Sequence, residues 1–342
     1  YKRQIVSWLF ALAVSFVSCD DWLDKTPKDR LYPDVYFKTE DELRLFTNQF
    51  YNNLVPSAVD IYSESSDLIV KSDLMLEMSG QRIIPDEGNG WNFTALRDIN
   101  FYLQYSHNCT EVNARNRYDG VARFFRAYFY FEKVKRYGDI PWYDKALDSD
   151  DPELYKARDS REFVMQKMLE DLDFAIANLP KTKNAYVLTR WTALALKSRV
   201  CLFEGTFRKY HGLEDYEKYL NACVSASETF MNESGYTLYK SGSTPYRDLF
   251  ASINLQADEV IFGRDYEASL SVLHNVQNYE NSTTMGRPGM NKKIVNSYLM
   301  ADGSRFTDKA GYETMTFDQE CQNRDPRLAQ TIRTLSLIHI SE

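Results

Sequence analysis

The sequence YDGVARFFRAYFYFEKVKRYGDIPWYDKAL, residues 118–147, decides the fold of this 342-residue chain. Its apolar side chains recur at the i, i+3, i+4 and i+7 spacing that places them on one face of a helix. These side chains are Val121, Phe124, Phe125, Tyr128, Phe131 and Val134. Phe129 and Tyr130 fall on other faces, so we predict a helix over 113–137 that is buried on most of its sides.

Other segments before and after this stretch also have helical patterns. Thr39 and Glu42 have the spacing of a capping box and predict a helix start. Asp159-Ser-Arg-Glu162 predicts another start, and Pro180 ends that helix because proline removes a backbone donor. Its buried line is Val164, Met168, Leu172, Ala175 and Leu179. The predicted helices are 93–105, 160–179, 189–208 and about 214–232.

These successive helices predict an all-α fold made of tetratricopeptide-like helix pairs, although the consensus of that repeat is absent. Residues 54–92 are rich in turn-forming residues, so we expect long irregular loops there. A few short strands complete the prediction, and the best candidate is DEVIFGRDY at 258–266.

The composition excludes some classes of function. A net charge of -8 and the lack of a basic run argue against nucleic acid as a partner. Aromatic residues make up 14% of the chain, which favours either a binding surface or packing between helices. The five cysteines form no metal-ligand spacing. Two alternatives stay open for Cys109, Cys201, Cys223 and Cys321: they form disulfide bonds, or they are buried free thiols.

The N-terminal residues have the pattern of a secretion signal. Lys2 and Arg3 precede an apolar run from Ile5 to Val17, which is too short for the roughly 20 residues of a membrane-spanning helix. A small residue, Ser18, precedes Cys19, as lipoprotein signal peptidases require. We therefore predict that Cys19 is lipidated and becomes the mature N-terminus. The alternative is an ordinary signal that is cleaved elsewhere and a chance cysteine.

Four segments follow from this interpretation. Residues 1–18 form a lipoprotein signal peptide, and residues 19–38, with Pro27 and Pro33 among charges, form a lipid-anchored tether. Residues 39–334 form the helical domain, and 335–342 form a separate tail. Acyl chains on one cysteine anchor a protein to a membrane without a spanning helix.

A search for catalytic and metal-binding motifs predicts no catalytic residue, no metal and no cofactor. No H-E-x-x-H, G-x-S-x-G or Walker sequence occurs. The acidic segment DSDDPE at 148–153 lacks the glycine turn of an EF-hand, so we interpret it as a solvated loop. The sequence leaves open whether two carboxylates form a catalytic pair for sugar hydrolysis, because such a pair is identified only by the distance between its carboxyl groups.

Several stretches together resemble the SusD/RagB family of nutrient-binding outer-membrane lipoproteins. The first is residues 118–147, in which an aromatic helix is followed by the turn Tyr137-Gly138-Asp139-Ile140-Pro141. The others are residues 161–180 with 190–205, TTMGRPGMNKKIVNSYLMADGSRFTD at 283–308, NRDPRL at 323–328, and CDDWLDKTP from Cys19. They stand in the family's order across nearly the whole chain.

The resemblance implies a surface-exposed lipoprotein of the outer membrane. It would bind an oligosaccharide, or a peptide as in some members, without turnover. It would deliver this nutrient to a SusC-type TonB-dependent transporter. Asp20 and Asp21 resemble the surface-export signals of such lipoproteins.

The C-terminal end departs from the family pattern. LSLIHISE at 335–342 resembles a translated sequencing adapter, where family members continue for a long stretch. We therefore expect the helical domain to be incomplete at its C-terminus.

Candidate ligand contacts follow from residue type and from their position in loops. Sugar rings stack on exposed aromatic side chains, and their hydroxyl groups form hydrogen bonds with polar side chains. The turn-rich segment 70–92 contains Asp73, Arg82, Trp91 and Asn92, and Tyr279 is a further candidate. Trp142, in the GDIPWYD turn, is predicted to be structural.

Two other functions remain open at this point. One is a tetratricopeptide-like scaffold that binds only proteins, and the other is a helical enzyme that cleaves glycans. Capture of a transporter barrel separates the receptor from the scaffold, and release of shorter products identifies the enzyme.

Overall fold

The computed structural model describes residues 35–56, 68–70, 76–83, 88, 90–274, 276 and 289–332. Within them the chain is mostly helical, which confirms the predicted all-α class. The helices are α1 Glu40–Leu54, α2 Leu76–Ser79, α3 Thr94–Tyr105, α4 Val112–Tyr137, α5 Arg161–Asn178, α6 Arg190–Tyr210, α7 Tyr216–Glu233, α8 Pro245–Ala251, α9 Lys292–Ser297, α10 Phe317–Cys321 and α11 Pro326–Thr331. None of these helices is both long and apolar enough to cross a bilayer.

Helix α4 is the centre of the core. Its buried residues lie on several faces and include Phe129 and Tyr130, as the sequence predicts. Helices α1, α3 and α5 pack against it, and α6 and α7 extend the stack, since α5 packs on α6 and α6 on α7. This succession agrees with the predicted tetratricopeptide-like helix pairs.

The starts of two helices test the capping predictions. The Thr39 hydroxyl accepts a hydrogen bond from the Glu42 amide, and the full capping box is present, so that prediction is confirmed. Helix α5 instead uses Ser160 as its N-cap, with its hydroxyl 3.3 Å from the Phe163 nitrogen. The prediction that Asp159 provides this cap is wrong, because its carboxylate accepts from the Trp142 amide at 2.7 Å.

The predicted strand at 258–266 is also wrong. This segment has turns and irregular backbone, and the Gly263 amide donates to the Ala185 carbonyl at 2.8 Å. Its apolar run packs on helices instead of a neighbouring strand: Phe262 lies on the main core and Ile261 on a smaller cluster around Trp191. The described strands are β1 Ile69–Val70 and β2 Gly289–Met290, which pair antiparallel.

A buried ion pair joins the two central helices. The Arg126 guanidinium of α4 donates to both carboxylate oxygens of Asp171 on α5, each at 2.7 Å. It also donates to the Asn100 side-chain oxygen on α3 at 3.2 Å. All three residues are buried. This network therefore fixes the positions of three helices relative to one another.

Removal of one partner of this pair should destabilise the fold. Arg126→Met removes both short hydrogen bonds of the buried Asp171 carboxylate and leaves it only the 3.6 Å contact with Arg123, so we expect the free energy of unfolding to fall by about 3–5 kcal/mol. Urea denaturation of the variant and the parent protein measures this difference. The control is Arg44→Ala, which breaks an exposed pair with Asp41 and should cost about 1 kcal/mol or less. Equal losses in the two variants would contradict the structural role of the buried pair.

Candidate ligand-binding site

The turn after α4 positions one wall of the site. Gly138 ends the helix at φ 71° and ψ -110°, a conformation that side chains rarely adopt. The next residue, Asp139, accepts a hydrogen bond from the Arg161 amide at 2.8 Å and so satisfies the start of α5. Ile140 then pairs with Asp159 as an isolated antiparallel bridge. The Gly-Asp-Ile-Pro sequence thus connects the end of α4 to the beginning of α5.

Tyr130 fixes the segment that follows this turn. Its hydroxyl accepts from the Tyr143 amide at 2.6 Å and donates to the Pro141 carbonyl at 3.3 Å. Its ring stacks on Trp142 with the centroids 4.3 Å apart. Burial raises the pKa of Tyr130, so this hydroxyl stays protonated. Trp142 is buried, in keeping with its predicted structural role, and Tyr143 is held next to α3.

Trp91 stands at the entry to α3. Of the three tryptophans that the structure describes, Trp142 and Trp191 are buried, while Trp91 is 40% exposed. Its ring meets Phe93 and Tyr137 edge to face, with centroids 5.3 and 4.9 Å away. These neighbours orient the indole and leave part of it facing solvent.

Two cations lie close to this aromatic group. The Arg158 guanidinium lies 4.9 Å from the Trp91 ring centroid. The Lys133 ammonium donates to the Gly90 carbonyl and lies 5.0 Å from the Phe129 ring. Burial, assisted by Arg136, lowers the pKa of Lys133.

A cleft of ≈ 370 Å³ opens beside Trp91, and we call it the Trp91 cleft. Its apolar wall consists of Trp91, Phe93, Leu96, Tyr143, Leu147 and Leu154. Its polar residues are Thr94, Arg97, Asn100 and Lys145. An apolar aromatic wall with a few polar groups is typical of a small-ligand site.

The polar groups of the cleft differ in how much hydrogen bonding they have left for a ligand. Asn100 is fully engaged, since its amide donates to the carbonyls of Tyr143 and Lys145. Arg97 uses its Nε on the Leu147 carbonyl at 3.1 Å, and its side chain is 53% exposed. Lys145 pairs with Glu153 at 2.8 Å, and this hydrogen bond raises the pKa of the lysine. Arg97 and Lys145 can therefore donate to ligand hydroxyls from the rim.

The acidic segment 148–153 packs beside this rim. The Asp151 carboxylate accepts from the Glu153 amide and starts a short 3-10 helix, Pro152–Tyr155. Asp151 also lies 3.6 Å from Lys145. In the part of the chain that the structure describes, no group of three or more His, Cys, Asp and Glu residues is arranged to hold a metal ion.

The residues predicted as ligand contacts have different locations. Trp91 lines the cleft, and its role as a ligand contact stays a prediction. Asn92 lies next to it and accepts from the Thr94 amide at 2.8 Å, which occupies its side-chain oxygen at the helix start. Arg82 is exposed just after α2 and does not line the cleft. Asp73 and Tyr279 lie outside the described residues, as does the lipidation candidate Cys19.

Sequence reasoning missed several residues of this site. Tyr143, Lys145 and Arg158 come from the connection between α4 and α5, far along the chain from Trp91. The WYDK sequence directly after the Gly-Asp-Ile-Pro turn was the available signal, because the turn fixes where these side chains lie.

Two family comparisons cover separate parts of the chain. Residues 78–190 match the SusD-like family described as starch-binding and associating with the outer membrane, and residues 225–335 match the SusD family. The first match contains α4, the turn and the Trp91 cleft. The chain belongs to the SusD/RagB family. A solved SusD-like protein from Bacteroides fragilis, 16% identical to this chain, is described as a carbohydrate-binding protein.

Individual SusD-like proteins are similar over most of this chain. The SusD-like protein P38 of Formosa agariphila is 23% identical over 73% of this chain and 49% of its own length. The SusD-like protein P2 of the same organism is 26% identical over 83% and 57%, respectively. The chain thus spans about half the length of the curated relatives that it matches.

Solved structures show the same fold. A SusD-like protein from Bacteroides fragilis superposes with a TM-score of 0.69 at 22% identity, covering 90% of this chain and 62% of that one. Another neighbour, solved with a xylogluco-oligosaccharide, has a TM-score of 0.58 at 18% identity and covers 76% and 55%. These superpositions show that the chain has the SusD-like fold.

The turn at Gly138 offers a test of how the site is built. Gly138→Ala forces a side chain into a disfavoured backbone conformation, although no atom lies within 4 Å of the new Cβ. We expect a loss of stability of about 1–3 kcal/mol, measured by thermal or urea unfolding. Gly289→Ala is the matched control, because that position also has open space but no positive φ. A Gly138 variant as stable as this control would contradict the proposed strain.

Proposed function

We propose that this protein captures oligosaccharides at the Trp91 cleft and delivers them to a SusC-type TonB-dependent transporter. The observation that supports the proposal most directly is the half-exposed Trp91 ring in a cleft with arginine and lysine at its rim. The apolar C–H face of a sugar stacks on such a ring, while its hydroxyls accept hydrogen bonds from the rim.

Capture without turnover fits the lining of this cleft. Glycoside hydrolysis generally needs two carboxyl groups on either side of the scissile bond. The described residues that line the Trp91 cleft include neither aspartate nor glutamate. The carboxylates of Glu153 and Asp148 at its rim are paired with Lys145 and Arg97. This arrangement favours a receptor over the glycan-cleaving alternative.

Anchoring at the cell surface is a further part of the proposal. Residues 1–18 serve as a lipoprotein signal peptide, and lipid on Cys19 holds the receptor at the outer membrane through the 19–38 tether. The outer-membrane association of the SusD-like family supports this location. The barrel partner is the natural recipient for a captured nutrient too large to diffuse through the membrane.

Truncation of Trp91 should weaken glycan binding. We expect Trp91→Ala to raise the dissociation constant for a xylogluco- or malto-oligosaccharide about tenfold or more, because it removes a large stacking surface. Isothermal titration of the full chain against both sugars and a mixed peptide digest measures the effect. Trp91→Phe should retain part of the affinity.

Tyr210→Ala is the control for this experiment, since Tyr210 is an 81% exposed aromatic residue outside the cleft. Binding of peptides alone would favour a peptide receptor, and release of shorter sugars would identify an enzyme. Either result, or equal binding by the Trp91→Ala and Tyr210→Ala variants, would reject oligosaccharide capture at this cleft.

Loss of the lipid cysteine should change the location of the protein. We expect Cys19→Ser to move the protein from the outer-membrane fraction to the soluble fraction, because the acyl chains supply the anchor. Mass spectrometry of the mature parent protein should show acylated Cys19. The membrane-bound parent should co-purify with a TonB-dependent barrel. Capture of other proteins without a barrel would support the scaffold alternative.

A further inference from the structure

A second, larger cleft lies between α9 and the 3-10 helices that follow it. Its volume is ≈ 650 Å³, and it shares no residue with the Trp91 cleft. The 3-10 helices are Phe306–Asp308 and Tyr312–Thr314. The residues that line it are Lys292, Lys293, Asn296, Ser297, Leu299, Arg305, Thr307, Tyr312 and Glu313. We call it the cationic cleft.

A buried arginine holds the frame of this cleft. Arg324 donates to the carbonyls of Val295 and Tyr298 at 2.8 Å each, at the C-terminal end of α9. It donates to the Glu320 carbonyl at 2.8 Å as well, and its guanidinium lies 3.9 Å from the Phe306 ring. Arg324, in the NRDPRL sequence at 323–328, thus holds α9 against the 306–308 turn without lining the cleft itself.

Positive charge dominates the lining. Lys292, Lys293 and Arg305 face a single acidic lining residue, Glu313. Lys292 is oriented by a 2.6 Å contact with Glu320. Arg305 is exposed and forms no ion pair or side-chain hydrogen bond with any residue that the structure describes. Glu320 offsets the charge of Lys292, so in a protein of net charge -8 Arg305 is the cation of this lining that is available to an anion.

Neutral groups in the lining add a second recognition element. The side-chain oxygen of Asn296 is buried and has no hydrogen-bond partner among the described residues. A hydroxyl group in the cleft can hydrogen-bond with this amide once its side chain rotates toward the cavity. Thr307 lies in the same lining, and Leu299 adds an apolar surface that is 39% exposed. A ligand that satisfies all of these groups combines an oxyanion, hydroxyls and a C–H face.

We propose that the cationic cleft binds an acidic sugar residue, whose carboxylate or sulfate group contacts Arg305. The guanidinium suits such a group because it donates two parallel hydrogen bonds to an oxyanion. The ring hydroxyls lie toward Asn296 and Thr307. The site is separate from the Trp91 cleft, so the two bind independently.

This proposal is tested by titrating the full chain with three sugars at 0.15 M salt, about physiological ionic strength. The sugars are a trigalacturonate, a sulfated galacto-oligosaccharide and a neutral galactotriose. The first two distinguish a carboxylate from a sulfate ester as the source of the charge. We expect at least one acidic sugar to bind and Arg305→Gln to weaken it about tenfold or more, while Tyr210→Ala, which lies outside both clefts, leaves it unchanged.

Lys309→Gln is the matched control, because it removes the same charge nearby without touching the lining. Loss of binding in this control equal to that in Arg305→Gln would show a diffuse charge effect and overturn the site. Two further results would overturn it: no preference for acidic over neutral sugar, and displacement of the sugar by an equimolar amount of inorganic sulfate. If neutral glycans fail to bind at Trp91, that result counts against the Trp91 cleft and does not bear on the cationic cleft.

Discussion

The contact between Arg126 and Asp171 is the constraint on which the rest of the structure depends. Two charges that are almost excluded from water are tolerated only with near-ideal mutual geometry, and the pair has two hydrogen bonds of 2.7 Å. Any sliding of α5 along α4 would break both of these hydrogen bonds between buried charges. Asn100 extends the same requirement to α3, whose first turn contributes to the Trp91 cleft.

Much of the helical framework follows from local sequence. The spacing of Val121, Phe125 and Val134 predicts the buried side of α4, and the Thr39 capping box predicts the start of α1, because both signals act over one or two helical turns. The strand predicted at 258–266 fails for the opposite reason. Three consecutive apolar residues report burial but do not show whether a strand or a helix covers them.

Long-range contacts were beyond the reach of sequence reasoning. Arg126 and Asp171 are 45 positions apart, and no local pattern connects them. β1 and β2 pair across more than two hundred positions. In the candidate site, Trp91 was predicted from residue type and loop position, whereas Arg158 was not, because only the folded turn brings that guanidinium to the indole.

The turn at Gly138, Asp139 and Asp159 has a consequence for the speed of recognition. It ties the end of α4, the start of α5 and the Tyr143 wall into one unit before any ligand arrives. A pre-formed wall spares the ligand the entropic cost of ordering a loop. Encounter with the wall is then limited by diffusion and orientation rather than by a slow rearrangement. Selection among ligands of the proposed site then depends on shape, because the wall has little freedom to adapt to a poor fit.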